Sequence, residues 1–309
     1  MAIPNFDCRN VYFDNLGKQI TGVQKTEVAI KLAGLDYLVE SQPIYLADGT
    51  EIENKKANVR SDNNQILGVV GKDYCILQNI EGFEFLDELI EGGAEFEAAG
   101  SFDKGRGAFM VAKTKPVEIV GDTFIPYILF INTHDGSGSV KALLTPVRVA
   151  CSNAFILAEK SAEVKISVKH SKNVKDRLKI AQDILRQNEK YMGKLKKEIE
   201  AYANVPMSAE QFTETVTQLS GLNDEECNTK VKQDRAQELI QDCLTAYEAP
   251  DVQQFKNTVY GALLAISDVE CHREPMRKTN NPEIYFNRIL LGMSMLNQTL
   301  KIIKSANMV

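Results

Sequence analysis

The strongest constraint on the fold of this chain is a change in hydrophobic period near residue 172. Before that point, short apolar runs alternate with glycine-rich turns, which is typical of β-strands joined by hairpins. After it, apolar residues recur at helical spacing, and prolines separate the segments. The sequence therefore predicts an α+β protein, with an antiparallel sheet and hairpins in the N-terminal half and a helical C-terminal region.

Two hairpins can be assigned in the first half. The segment EFEAAGSFDKGRGAFMVAKT predicts strands near residues 95–99 and 108–113, with a turn at Gly105 and Gly107. The segment FIPYILFINTHDGSGSVKALLTPVRVAC predicts a second hairpin with its tip at residues 134–139. Asp-Gly and Gly-Ser pairs supply the positive φ angles that such tight reversals require.

Five helices are expected in the second half. The first follows a cap at Ser171 or Asn173, and the others lie near residues 208–219, 231–247, 252–270 and 282–305. The apolar face of the first helix is predicted to comprise Val174, Leu178, Ala181, Leu185, Met192, Leu195 and Ile199. We divide the chain into an antiparallel α+β domain at 1–172 and a helical region at 173–309 that packs on it, either as a separate domain or within the same domain.

The stretch ILGVVGKDYCILQN invites comparison with a phosphate-binding loop. A Walker A loop needs the pattern GxxxxGK followed by Ser or Thr, whereas here the spacing differs and Asp73 follows the lysine. We instead expect strands at 66–70 and 74–77 joined by a turn. One helix should follow and end at Gly92 and Gly93, burying Ile80, Phe83, Leu86 and Ile90.

No sequence motif requires an enzyme. The glycines near residue 105 lack a dinucleotide fingerprint, and only three histidines are present, so no catalytic residue, metal site or cofactor is predicted. Asp268 and His272 can share a helix face, with Glu270 nearby. A structural pair is the favoured interpretation there, and a hydrolytic metal site is the alternative.

The charge distribution points to one possible anion-binding surface. The net charge is −6, yet residues 159–198 hold twelve Lys and Arg against six acidic residues, which gives this block a net charge of +6. Such a block is either a solvated helix face with ion pairs or a surface that binds anions such as nucleic acid.

Cysteine usage and hydropathy favour the cytoplasm. Six cysteines without close or regular spacing are typical of reduced thiols rather than of a disulfide framework. The sequence has no apolar run near the roughly 18 residues that a membrane span needs, and the first residues do not resemble a secretory signal. We therefore expect a cytoplasmic protein without a membrane partner.

Five ordered motifs carry a resemblance to a known family. They read VRSDNNQILGVVGKDYCILQNIEGFEFLDELI, AAGSFDKGRGAFMVAK, TPVRVACSNAF, VKHSKNVKDRLKIA and TVYGALLAISDVECHREP, and they extend from about Leu35 to Leu291. Together they resemble the phage/plasmid-like protein family, domain of unknown function 932. One departure is Cys271, which stands where the family pattern has an acidic residue. The resemblance implies genes carried by phages, prophages and plasmids near DNA-metabolism functions, and it implies no activity.

Two classes of function remain open. The first is a nucleic-acid-binding protein, which binds or anneals single-stranded DNA in mobile-element DNA metabolism. Phage annealing proteins of the Erf-like and Red-beta-like kinds share a small sheet against helices, a basic groove and ring or filament assembly, which is a fold-level analogy. The second is a non-enzymatic accessory factor that inhibits a host defence or regulatory protein through its acidic surface. A nuclease is a third possibility, and RNA remains an alternative ligand.

The residues predicted to bind nucleic acid are cationic and lie in two groups. They are Arg106, Arg148, Lys169, His170, Lys172, Lys175 and Lys179. The lysines cluster where sheet gives way to helix, and the arginines interrupt apolar or glycine-rich strands. Tyr74 or Phe109 would offer a stacking face for bases. The alternative for both arginines is an ordinary solvent-facing position.

A homo-oligomer is expected from the last helical segment. Its apolar face comprises Ile284, Ile289, Leu290, Met293, Leu296, Leu300 and Ile303. This face either closes the core of its own chain or packs in part on another subunit.

Overall fold

A computed structural model describes residues 17–84, 86–148, 153–154, 165–172, 188–272 and 294–308. The strands are β1 (Lys18–Gln19), β2 (Val39–Tyr45), β3 (Glu51–Arg60), β4 (Ile66–Gly71), β5 (Glu95–Phe102), β6 (Gly107–Lys113), β7 (Val117–Ile119), β8 (Asp122–Thr133), β9 (Val140–Arg148), β10 (Asn153–Ala154) and β11 (Lys165–Val168). The helices are α1 (Thr26–Ala33), α2 (Asn79–Phe83), α3 (Leu86–Glu91), α4 (Asn188–Ala203), α5 (Ala209–Ser220), α6 (Lys230–Tyr247), α7 (Val259–His272) and α8 (Ser294–Ser305). The α+β class and the order of its two halves are confirmed.

The strands form two antiparallel sheets. The larger sheet has eight strands in the order β1-β5-β6-β8-β9-β10, and β7 and β11 pair with β8 and β9 respectively. Both predicted hairpins are present, as β5–β6 and as β8–β9. The smaller sheet has the order β2-β3-β4. Lys104 and Gly105 adopt positive φ angles in the β5–β6 turn, where the sequence had predicted a glycine reversal.

Both faces of the larger sheet are buried, which explains the nearly continuous apolar runs in its central strands. On β6, Ala108 and Met110 pack in the same cluster as residues of α1–α3. Phe109 and Val111 alternate with them and pack with Tyr127 of β8 in a separate cluster. Since side chains along a strand point to opposite faces, one apolar strand can serve two cores.

The C-terminal helices form a third core that reaches one end of the larger sheet. Ile119 and Phe124 from the sheet belong to this core. The helical members at its centre are Leu195, Ile199, Phe212, Val216, Tyr260, Leu263, Leu296 and Leu300. A buried hydrogen bond joins the same layers, because the Tyr260 hydroxyl lies 3.0 Å from a carboxylate oxygen of Asp122.

The smaller sheet meets the tip of the β8–β9 hairpin at very close range. A Cβ atom added to Gly68 would lie 2.5 Å from Cα of Asp135. On the neighbouring strand, Asn58 is fully buried and donates from Nδ2 to the carbonyl of His134 at 2.7 Å. The contact between the sheets is therefore made partly by backbone and by buried polar groups.

Three details of the predicted secondary structure are wrong. Residues 74–77 form no strand, because Cys75 donates its N–H to His170 outside any ladder and the Tyr74 hydroxyl bonds the carbonyl of Thr133. The expected single helix after them is two short helices, α2 and α3. A separate error concerns burial, since Ile80 was expected in the core and is 36% exposed.

The third error concerns the helix expected at 252–270, which begins at Val259. A short 3₁₀ turn over Gln253–Phe255 precedes it, and Asn257 has a φ of 63°, which an α-helix does not accommodate. Of the helix expected from residue 173, the described part is α4, where Met192, Leu195 and Ile199 are buried as predicted. The earlier positions of that face, and the proposed domain boundary itself, border or lie within residues outside the described part.

The described part of α8 packs within its own chain. Leu296, Leu300 and Ile303 are buried in the helical core, whereas Ile284, Ile289, Leu290 and Met293 lie outside the described residues. Among the helices that the structure describes, none has both the length and the apolar character that crossing a membrane would take.

Candidate functional site

Four of the predicted binding residues lie at one end of the larger sheet. Arg106 immediately precedes β6, and Lys169 and His170 immediately follow β11, with Lys172 two residues further on. Val168 pairs with Val140 at the start of β9, and Gly107 pairs with Thr133 at the end of β8. Both connections therefore lie beside the tip of the β8–β9 hairpin.

Arg148 lies at the opposite end of the same sheet. It is the last residue of β9 and pairs with Phe124 near the start of β8. Eight residues separate it from Val140, which corresponds to about 26 Å along a strand. Lys175 and Lys179 lie outside the described residues. The predicted set is therefore divided between two ends of the sheet.

The aromatic residues predicted for stacking already contact other residues of the chain. Phe109 is fully buried in the core and cannot offer a face to a base. The ring of Tyr74 stacks on His170 with a centroid distance of 4.7 Å and an interplanar angle of 20°. Arg106 lies 3.4 Å from the Asp103 carboxylate in an exposed pair, which contributes little stability and is easily exchanged.

A buried polar cluster lies behind these cations. We call it the histidine junction and define it as Tyr74, Asn79, Asn132, His134 and His170. His134 is 0% exposed and His170 is 8% exposed, so both imidazoles are removed from solvent. The backbone N–H of His134 donates to the carbonyl of Arg106 at 2.7 Å, which ties the junction to the exposed cations.

The hydrogen bonds of His134 determine its tautomer. Asn79 donates from Nδ2 to the carbonyl of Leu35 at 3.0 Å, so its Oδ1 is the atom that faces His134. That Oδ1 lies 2.9 Å from Nε2 of His134. Because an amide oxygen can only accept, Nε2 carries the proton and Nδ1 keeps its lone pair. Nδ1 is buried and has no hydrogen-bond partner.

His170 has the complementary arrangement. Its Nδ1 lies 3.2 Å from the carbonyl oxygen of Cys75, which can only accept a hydrogen bond. Nδ1 is therefore protonated and Nε2 holds the lone pair. This Nε2 is also buried and without a partner.

Burial keeps both imidazoles neutral. Desolvation, reinforced by the neighbouring His170, lowers the pKa of His134 to about 4. Desolvation also lowers the pKa of His170, although its bond to the Cys75 carbonyl and the charge of Asp135 oppose this shift. Desolvation raises the pKa of the Tyr74 phenol, with a further contribution from Asp135. The junction thus presents unprotonated nitrogens and a protonated phenol at neutral pH.

The sequence model of one family covers most of this chain. The family is described as Domain of unknown function (DUF932), and its match spans residues 66–291. The chain belongs to the DUF932 family. No curated protein and no solved structure matches the chain.

The DUF932 match contains the histidine junction but only part of its surroundings. Tyr37, Asn58 and Arg60 precede residue 66. Of these, Tyr37 lies edge-on to the His134 ring and Asn58 donates to the His134 carbonyl. The Arg60 guanidinium carbon lies 3.7 Å from the centroid of the Tyr37 ring, whose hydroxyl donates to the Gly105 carbonyl at 3.2 Å. Arg60 also pairs with Asp62 at 2.6 Å.

Sequence reasoning missed most of the histidine junction. Asn79, Asn132 and His134 were not selected, because an asparagine or a histidine near a strand end carries no periodic signal. His134 was placed at a hairpin tip, and its complete burial became evident only from the tertiary structure. The sequence offers one signal, the polar residues at 78–79 and at 132–134. These two segments can be recognised as neighbours only when the fold is known.

The Asp268, Glu270 and His272 group has a structural explanation for its central member. The Glu270 carboxylate accepts hydrogen bonds from the N–H groups of Met295 at 3.0 Å and Leu296 at 2.9 Å. It therefore caps the first turn of α8 from a neighbouring helix. Within the described residues, no group of three or more His, Cys, Asp or Glu side chains lies together in a way that could hold a metal ion.

Proposed function

We propose that this DUF932 protein is a phage- or plasmid-type protein that binds single-stranded DNA and acts in strand binding or annealing. The observation that supports this proposal is the group of exposed cations at one end of the larger sheet. Arg106, Lys169 and Lys172 are all exposed there. Backbone hydrogen bonds hold the segments that carry Arg106 and Lys169 against the same hairpin tip.

The geometry favours phosphate contacts over contacts with bases. Phe109 is buried, and one face of the half-buried Tyr74 already stacks on His170. Lysine and arginine attract phosphates without reading a sequence. We therefore expect binding that tolerates any sequence and weakens steeply with added salt.

A charge-reversal series tests the proposal. The chain would be titrated into fluorescently labelled single- and double-stranded oligonucleotides over a range of salt concentrations, and anisotropy would report binding. Each phosphate contact to a single strand contributes a slope of roughly −0.7 to the logarithmic salt dependence. Lys169→Glu with Lys172→Glu should reduce the magnitude of this slope by about 1.4 and weaken all sequences equally.

A matched control is available on α4. Lys196→Glu with Lys197→Glu changes the net charge by the same amount at two exposed positions. This helix lies near the other end of the sheet, since Asn188 bonds Thr114 just past the end of β6. Equal losses of oligonucleotide affinity in both double variants would show that net charge alone causes the effect. An unchanged affinity in the Lys169/Lys172 variant would eliminate this surface.

A second candidate function rests on exposed apolar side chains of the smaller sheet. Leu38, Tyr45, Leu46, Ile66 and Val69 are each more than half exposed. A contiguous exposed apolar patch is typical of a protein-binding surface. These side chains favour the alternative of an accessory factor that inhibits a host defence or regulatory protein. Loss of partner binding in Ile66→Lys, with oligonucleotide binding unchanged, would support this alternative.

A further inference from the structure

We propose that the histidine junction binds a divalent transition-metal cation of the Zn²⁺ class, with Nδ1 of His134 and Nε2 of His170 as its nitrogen ligands. This inference is independent of the strand-binding proposal. It concerns a buried site behind the exposed cations, and it requires no nucleic acid.

The first argument is the set of buried acceptors that lack a partner. Four such side-chain atoms lie in or next to the junction: Oδ1 of Asn132, Oγ1 of Thr133, Nδ1 of His134 and Nε2 of His170. Nearly all buried polar atoms in proteins have a hydrogen-bond partner, so several buried atoms without one in the same place indicate a bound ligand. All four can offer a lone pair, which suits a cation and not an anion.

The second argument is that Tyr74 links the two segments that carry the imidazoles. His170 stacks on Tyr74, and the Tyr74 hydroxyl donates to the Thr133 carbonyl at 2.8 Å. Thr133 immediately precedes His134, so one aromatic side chain spans the space between the two histidine segments. The charge of a protonated His170 also lowers the pKa of His134, after the larger effect of burial.

The third argument is the environment behind each ring. Histidines that bind metals usually donate their second ring N–H to an oxygen acceptor, which fixes the tautomer and the orientation of the ring. His134 donates to Oδ1 of Asn79, and His170 donates to the carbonyl of Cys75. Neutral imidazole nitrogens are ligands that Zn²⁺, Ni²⁺ and Cu²⁺ prefer.

Among the described residues, two buried oxygens without a partner are candidates for the remaining coordination positions, Oδ1 of Asn132 and Oγ1 of Thr133. Oδ1 of Asn132 is buried and unpaired, while Nδ2 of the same side chain donates to the Leu77 carbonyl at 2.8 Å. Solvent would complete the coordination of a site with so few protein ligands. A bound cation would connect the hairpin tip to the segment after β11, on which Lys169 and Lys172 are exposed.

The test uses the full chain after treatment with a chelator. Zn²⁺ would be titrated calorimetrically, and Co²⁺ would be added separately so that its visible absorption reports the ligand type. We expect one equivalent of either ion to bind. His170→Phe keeps a ring that can stack on Tyr74 but removes the lone pair, and it should weaken Zn²⁺ binding by roughly 100-fold or more.

His272→Gln is the matched control, since it removes the third histidine of the chain from a different element. It should leave Zn²⁺ affinity unchanged, and a loss that follows His272 instead of His170 would overturn the proposal. If His170→Phe does not fold, long-range ¹H–¹⁵N spectra of the wild-type chain decide. Zn²⁺ must then shift Nδ1 of His134 and Nε2 of His170. Spectra that stay unchanged would mean that buried water satisfies these nitrogens.

Discussion

Two histidines of this chain, His134 and His170, are buried and neutral. An ordinary histidine titrates near pH 6.5, but burial of His134 removes the solvation that its charged form needs. One ring nitrogen of His134 is hydrogen-bonded to Asn79, and the other has no hydrogen-bond partner. A side chain in this condition contributes to stability in a way that depends on pH, whatever ligand it serves.

We predict that the free energy of unfolding falls as the pH drops from about 6.5 towards 4. In this window the unfolded chain takes up a proton on His134, which the folded chain binds only near its lowered pKa of about 4. The lowered pKa corresponds to a change in unfolding free energy of about 3 kcal/mol at most. Urea unfolding at several pH values, after treatment of the protein with a metal chelator, measures this change. His134→Gln should show a shallower dependence, and identical pH profiles for both chains would contradict the assignment.

Gly68 permits a close approach between the two sheets. An added Cβ would meet backbone atoms of Asp135 at 2.5 and 2.7 Å, and backbone cannot move aside as a flexible side chain can. Gly68→Ala should therefore cost about 1–3 kcal/mol of unfolding free energy. Gly71→Ala, in the same strand, meets nothing within 4 Å and is the control. Equal denaturation midpoints for the two variants would show that the hairpin tip yields readily.

At the scale of secondary-structure elements, the sequence predicted the features that depend on local residue patterns. The hairpins followed from turn residues such as those at 134–139, and α5 and α6 followed from their apolar spacing. The 74–77 segment failed, because its apolar residues resemble a strand although its hydrogen bonds go to distant residues. The late start of α7 depends on the positive φ of Asn257, which spacing alone does not indicate.

The cap of α8 gives a prediction at this scale. Glu270→Ala removes the carboxylate that accepts two N–H groups of the first turn of α8. We expect a loss of about 1–2 kcal/mol, and Glu270→Gln should lose less because it keeps one acceptor oxygen. Thermal or urea unfolding gives the measurement. Glu214→Ala, at an exposed position of α5, should be nearly neutral. A comparable loss there would indicate a general charge effect.

For the whole molecule, the sequence identified charges but not their arrangement. Arg106 and Arg148 looked equivalent, yet they lie at opposite ends of the larger sheet. The histidine junction draws on segments near residues 74, 132 and 170, so its assembly depends on sheet order and not on any local pattern. Residue types could be selected in advance, but their meeting point could not.

Assembly is the prediction that belongs to the whole molecule. A strand-annealing protein gains affinity by repeating a modest basic surface along one strand. We expect light scattering at micromolar concentration to give a homo-oligomeric mass, which increases with an oligonucleotide of several tens of bases. A monomeric mass under both conditions would exclude annealing. Metal-dependent loss of the oligonucleotide would instead support the nuclease alternative.

The first position of the family match has an evolutionary consequence. The match begins at residue 66, which is the first residue of β4, so β2 and β3 of the same small sheet fall outside it. A relative that lacks an equivalent of those strands would have β4 with no neighbour to satisfy its backbone. Such a relative would have to recruit a strand from elsewhere, either from an unrelated leader segment or from another polypeptide.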